Sequence, residues 1–275
     1  MDTLHARPST ARQMLNKVPE VTLWFWVIKI MATTVGETAA DYLATNLNLG
    51  LTNTTYIMSA LLITVLAFQF RARLYRPSIY WLAVVLLSVV GTLITDNLVD
   101  NFKVTLVTTT VIFSVALAAS FAVWFASERS LSIHTITTTK REAFYWTTIL
   151  FTFALGTASG DLVAEHLNLG YWKSALMFGA IIGAITFAWK YLRFNAIAAF
   201  WLAYILTRPL GAAIGDYLSR AKVDGGLALG TTVTSMIFLA AILAVVVFLT
   251  ITRKDQTLTV PPEFESEMDA DGVRA

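Results

Sequence analysis

The sequence predicts an all-α membrane protein: eight transmembrane helices, built as four parallel two-helix repeats. Three observations carry that prediction. The 275 residues are 56% hydrophobic and only 14% charged, with too little charge for a water-soluble domain. A frame of three residues recurs at Trp26–Gly36–Asp41, Trp81–Gly91–Asp96, Trp146–Gly156–Asp161 and Trp201–Gly211–Asp216, always at spacings of ten and fifteen and always with Phe or Tyr before the Trp. Apolar runs near 21–43, 54–72, 79–98, 104–126, 143–163, 172–192, 196–218 and 227–252 match the ~20 residues that a helix needs to cross a bilayer. In hydrocarbon such runs have no water for their backbone, so helix is the conformation open to them, and the alternating strands of a membrane barrel are absent.

The repeats nest. Successive Trp residues are 55, 65 and 55 apart, and the two halves are offset by 120 throughout, including Leu47-Asn48-Leu49-Gly50 against Leu167-Asn168-Leu169-Gly170. A pair of helices was duplicated, and then the four were duplicated. An even number of spans per unit makes every copy run the same way across the membrane, about an axis along its normal.

Taken in order, residues 1–20 form a polar cytoplasmic tail with Arg7, Arg12 and Lys17. No cleaved leader is expected, because the first apolar run carries Lys29 and Glu37 and shares the frame of the later ones. Residues 21–130 make the first half and 131–254 the second. Residues 255–275, acidic and broken by Pro261-Pro262, are expected to be disordered. Ends and connectors on one side hold fourteen Lys and Arg, against Lys103, Lys173, Arg220 and Lys222 on the other. The excess places both termini in the cytoplasm.

Several functions are excluded. A net charge of +2 with no basic patch among aromatics gives no nucleic-acid partner. The absence of cysteine removes disulfides, thiolate metal sites and cysteine nucleophiles. Paired zinc histidines, a glycine-rich phosphate loop and a nucleophile elbow are missing, so no enzyme and no cofactor are expected. His5 and His134 fall in cytoplasmic segments, and His166 at a helix end.

Each Trp suits an interfacial anchor in the headgroup layer. Gly36, Gly91, Gly156 and Gly211 fall near the bilayer centre, where small residues let helices pack closely. The acids carry more information. Positions 7, 11, 15 and 19 after each Trp share one helix face. They read Thr33, Glu37, Asp41, Thr45; Ser88, Thr92, Asp96, Asp100; Phe153, Thr157, Asp161, Glu165; and Arg208, Ala212, Asp216, Arg220. Lys29 lies below the first stripe. A charge in hydrocarbon costs at least ~2.5 kcal/mol, so the odd-numbered helices should turn these stripes toward one another and the even ones should wall them. With Lys29 the seam sums to −4, which attracts cations; carboxylates without cysteine suit Mg, Mn or Ca.

The four tandem two-helix units with a Trp near each start resemble a family of bacterial membrane proteins that contain a repeat of unknown function. The resemblance covers residues 20–253 and implies a multi-pass protein of the bacterial inner membrane; it implies no activity. From the residues, the expected function is a small secondary transporter or exporter of a cation, with membrane lipid and the cation as its partners. Glu37 and Asp41 would be the central binding or proton-exchanging pair of a transporter that couples to protons, Asp96, Asp100, Asp161, Glu165 and Asp216 would gather or release the ion, and Lys29 and Arg208 would be counter-charges. The alternative is a non-transporting scaffold or sensor whose buried charges only clamp the bundle.

Overall fold

The computed structural model describes residues 16–255. Eight long helices run in order: α1 Leu23–Asp41, α2 Leu51–Arg71, α3 Pro77–Asp96, α4 Leu106–Glu128, α5 Thr139–Asp161, α6 Tyr171–Tyr191, α7 Ala196–Ser219 and α8 Thr231–Thr252. No strand occurs among the described residues. Seven of the eight are long and apolar enough to cross a membrane. The exception is α1, whose apolar run is diluted by Lys29, Thr33, Thr34, Glu37 and Thr38.

The starts are set by side chains that satisfy free N–H groups. Thr22, Thr138 and Asn195 cap α1, α5 and α7, and Pro77 occupies the first turn of α3, where no N–H is needed. The recurrent Asn-Leu-Gly before α2 and α6 also has a conformational reason. Asn48 and Asn168 are left-handed (φ 53° and 54°), and Gly50 and Gly170 follow at φ 72° and 78°, conformations that Asn tolerates and Gly adopts freely.

The odd helices form a closed inner ring, α1 to α3 to α5 to α7 and back to α1. One contact repeats four times around it. A Cβ on Gly36 would strike Ser88, one on Gly91 would strike Phe153, one on Gly156 Arg208, and one on Gly211 Thr33. In every case the glycine ten residues after one Trp meets the residue seven after the next. The four inner helices are therefore parallel and in register about one axis.

The even helices surround the ring with a stagger. α2 lies on α3, α4 on α5, α6 on α7, and α8 closes on α1. Each outer helix thus covers the inner helix of the following repeat, so a two-helix unit cannot bury its own inner face. Outward, side chains such as Ile63, Phe68, Val115, Leu176, Leu243 and Ile251 are exposed, the surface expected against lipid.

Two expectations change. Trp81, Trp146 and Trp201 are buried and Trp26 half-buried, so they are not lipid-facing anchors. They seal one end of the ring, because the first aromatic of each pair meets the Trp of the next repeat. Ring centroids are 5.5 Å apart for Phe25–Trp81, 5.4 Å for Tyr80–Trp146, 6.3 Å for Tyr145–Trp201 and 5.7 Å for Phe200–Trp26. Such tilted aromatic contacts add dispersion and quadrupole attraction to burial. The end of the polar tail is also packed: Lys17 and Val18 are buried, and the Glu20 N–H donates to the Asp255 carbonyl at 3.0 Å. The rest of both tails, 1–15 and 256–275, lies outside the described residues.

Candidate cation site

Four levels stack along the ring axis. At one end is the aromatic floor, where the Tyr80 and Tyr145 hydroxyls also hydrogen-bond to each other. Immediately above it is Lys29, fully buried. Its Nζ lies 4.3 Å from the Phe153 ring centroid and 4.1 Å from that of Tyr204, and it has no hydrogen-bond acceptor. Lys29 does not pair with any carboxylate among the described residues, which differs from a counter-charge clamp. Its attraction is to the ring faces, where an ammonium meets the negative side of the quadrupole.

The next level is organised by Arg208, also fully buried. Its Nη2 donates to Glu37 Oε2 at 2.7 Å and to Thr157 Oγ1 at 2.7 Å, and also to Thr92 Oγ1. Its Nη1 donates to the Thr33 carbonyl at 3.3 Å. One guanidinium on α7 thus reaches α1, α3 and α5 together. Glu37, Thr92 and Thr157 all stand eleven residues after their Trp, so the ring's register delivers three acceptors at one depth. Charge-assisted bonds to a planar fork are what Arg supplies and Lys does not. Thr33 adds a second crossing, from its hydroxyl to the Thr207 carbonyl at 3.1 Å.

Above this lie Asp41, Asp96, Asp161 and Asp216, one from each inner helix. Asp216 is buried, and the other three are half-buried. Arg220 bridges two of them, 3.3 Å from Asp216 and 3.6 Å from Asp41. Asp96 and Asp161 have no cation within ion-pair distance among the described residues. At the rim Asp100 and Glu165 are exposed, and Glu165 accepts from the Tyr171 hydroxyl at 3.0 Å. Directly after Asp41, Asp96 and Asp161 the helices loosen into π-helical turns, Tyr42–Asn46, Asn97–Asn101 and Leu162–His166, a geometry that widens a helix end and recurs at functional positions. The result is a polar axis that runs from half-buried and exposed carboxylates at one end, the mouth, to the buried aromatic floor at the other.

Carboxylate oxygens of Glu37, Asp161 and Asp216 come within 4.8 Å of one another. That span fits one coordination sphere, since oxygens opposite each other across a Ca²⁺ or Mg²⁺ ion are separated by twice ~2.0–2.6 Å. The ligands come from three different inner helices.

The central pair therefore differs from the expected Glu37–Asp41. Those two lie one turn apart on α1, but the ring turns Glu37 inward to Arg208 while Asp41 meets Arg220. The carboxylates grouped with Glu37 come from α5 and α7, Asp161 and Asp216, rather than from α1. His166 is exposed at the rim, and His134 lies 3.6 Å from Glu20 at the opposite end. Sequence reasoning missed a second polar cluster at that end, Lys17, Gln69 and Glu142. Glu142, four residues before Trp146, lies off the four-apart series of the α5 stripe, and neither it nor Lys17 carried a sequence mark of burial.

Neither a curated protein nor a solved structure matches the chain. A family model described as Repeat of Unknown Function (DUF347) matches it four times, at residues 24–75, 79–130, 144–194 and 199–255, and its four copies correspond to the four quarters of the ring. The chain belongs to this family of repeat proteins.

Proposed function

We propose that the protein is a small transporter or exporter of a hard divalent cation, spanning the bacterial inner membrane eight times with both termini in the cytoplasm. The observation that carries this reading is the convergence of Glu37, Asp161 and Asp216 from three helices. Arg208 and Arg220 partner Glu37 and Asp216, and Asp161 has no cation within ion-pair distance among the described residues; a bound cation relieves the remaining repulsion. The lysine and arginine excess at the opposite end orients the mouth outward. α1 crosses despite its charges because the ring turns them away from lipid.

In this reading Asp100, Glu165 and the Asp ring draw the ion in, and Glu37 is the contested ligand. Arg208 occupies Glu37 when the site is empty, so an arriving cation competes with a tethered one. Releasing Glu37 weakens the hub that joins all four inner helices, which couples occupancy to helix packing. Lys29 repels a cation from the floor until the ring rearranges. The clamp reading draws on the same hub: Arg208 ties four helices whether or not anything is transported.

Flux separates the two. Purified protein in sealed vesicles should move manganese or calcium down an imposed gradient, and Asp161→Asn should reduce that flux at least tenfold while folding normally. Absence of flux for both ions in the folded parent protein leaves the clamp as the account.

A further inference from the structure

At the floor end the chain buries a second charged group. Glu142 is 1% exposed. Its Oε2 lies 2.7 Å from Lys17 Nζ, and its Oε1 accepts from Gln69 Nε2 at 3.1 Å and weakly from Trp146 Nε1 at 3.5 Å. The Lys17 ammonium also donates to the Phe70 carbonyl at 3.0 Å. Gln69 is fully buried, and its Oε1 has no partner. The oxygens come from the end of α2 and the start of α5. Lys17 belongs to neither helix: it arrives on the stretch before α1, pinned by its own N–H to the Ile136 carbonyl at 3.3 Å.

This pocket has the composition of a cation site. One carboxylate oxygen and a main-chain carbonyl hold the ammonium, the second carboxylate oxygen is fixed by Gln69, and the buried Gln69 Oε1 is an amide oxygen without a partner; all are hard donors. A lysine on a strap outside the bundle is a replaceable occupant, whereas the oxygens are built into packed helices. We infer that Glu142 and the Phe70 carbonyl, with Gln69 holding the Glu142 carboxylate in place, form a monovalent-cation site, which Lys17 fills as a tethered ammonium and which a free potassium ion takes when Lys17 is absent. Charge selects a monovalent ion, because one carboxylate balances one positive charge, and a divalent ion would leave a buried excess. Magnesium is disfavoured further, since it demands octahedral geometry and gives up its water reluctantly. The site stands apart from the mouth and does not rest on the transport reading.

The test uses the full chain purified in detergent, melted across a potassium chloride series against N-methylglucamine chloride at equal ionic strength. A ligand that binds only the folded state raises the melting temperature saturably. Lys17→Ala should melt below the parent without potassium and recover saturably as potassium is added, while the parent does not respond. Adding Glu142→Gln should abolish the recovery. A Lys17→Ala protein that responds no more to potassium than to N-methylglucamine overturns the proposal, as does a response that survives Glu142→Gln. Lys17→Met retains the buried stem and carries the same test if the alanine variant does not fold. Failure of both to fold in high potassium overturns it too, because the ion then does not replace the ammonium.

Discussion

The two ends of the inner ring are built from the same four helices by the same register, yet they do opposite things. At the floor every repeat contributes an aromatic pair, and each pair closes on the next through ring contacts of 5.4–6.3 Å. At the mouth every repeat contributes an aspartate; Arg220 bridges Asp41 and Asp216, and Asp96 and Asp161 have no cation within ion-pair distance among the described residues. Fourfold repetition thus supplies a scaffold with one aromatic end and one acidic end. The chemistry sits between them, where the repeats stop matching. Three residues after the Trp stand Lys29, Val84, Ile149 and Tyr204; seven after, Thr33, Ser88, Phe153 and Arg208; eleven after, Glu37, Thr92, Thr157 and Ala212. One lysine, one arginine and one glutamate break the symmetry there, and all three are buried.

The largest effect should come from breaking that middle level. Arg208→Met leaves Glu37 buried without its cation and should destabilise the protein by about 3–5 kcal/mol, whereas replacing both members of a buried pair is often nearly neutral. Arg208→Met with Glu37→Gln should therefore melt closer to the parent than Arg208→Met alone. Equal melting of the single and double variants would mean that the pair is not coupled. At the floor, Trp81→Ala removes a fully packed indole and should cost about 3–5 kcal/mol, but it should leave cation affinity at the mouth unchanged. If the affinity falls with stability, the two ends are not separable.

Packing around the ring comes next. Gly91→Leu drives a side chain into Phe153 on the neighbouring helix and should cost ~1–3 kcal/mol by overpacking; a melting curve like the parent's would remove the glycine contact from the account. The smallest effect lies outside the membrane-spanning helices. Asp255 accepts from the Tyr75 hydroxyl at 2.6 Å, and burial pushes its carboxyl above the ordinary range, a rise that the Tyr75 bond only partly offsets. The folded state then holds the Asp255 proton more tightly than the unfolded chain does. Its contribution to stability is greatest at acidic pH and declines as pH rises from about 4 through the raised value. Asp255→Asn should flatten that slope in melting curves taken across the range.

The helices, the four repeats and the inward-facing stripe were legible because they are periodic: the Trp, Gly and Asp frame and the positions four apart define both the fold and the face. The floor was not legible, because a Trp at a helix start reads equally well as a lipid anchor until the ring's closure shows its neighbour. The stagger of α2 onto α3 was hidden for the same reason, since no local pattern says which inner helix an outer one covers. Glu37's true partner, Arg208, is 171 residues away, and only closure of α7 on α1 brings them together. Asp41 looked like the partner because it is one turn distant. Lys17 looked like a solvated tail residue, because a single basic side chain carries no mark of burial.

The account turns on a cation held by Glu37, Asp161 and Asp216, and calorimetric titration of the purified protein with manganese tests that most directly. The parent should bind one ion saturably. Asp161→Asn should lower the affinity at least tenfold, because it removes a ligand, while Asp100→Asn at the exposed rim should lower it only slightly. Saturable binding that is equally strong in the parent and in Asp161→Asn, or no binding in the folded parent, would contradict it.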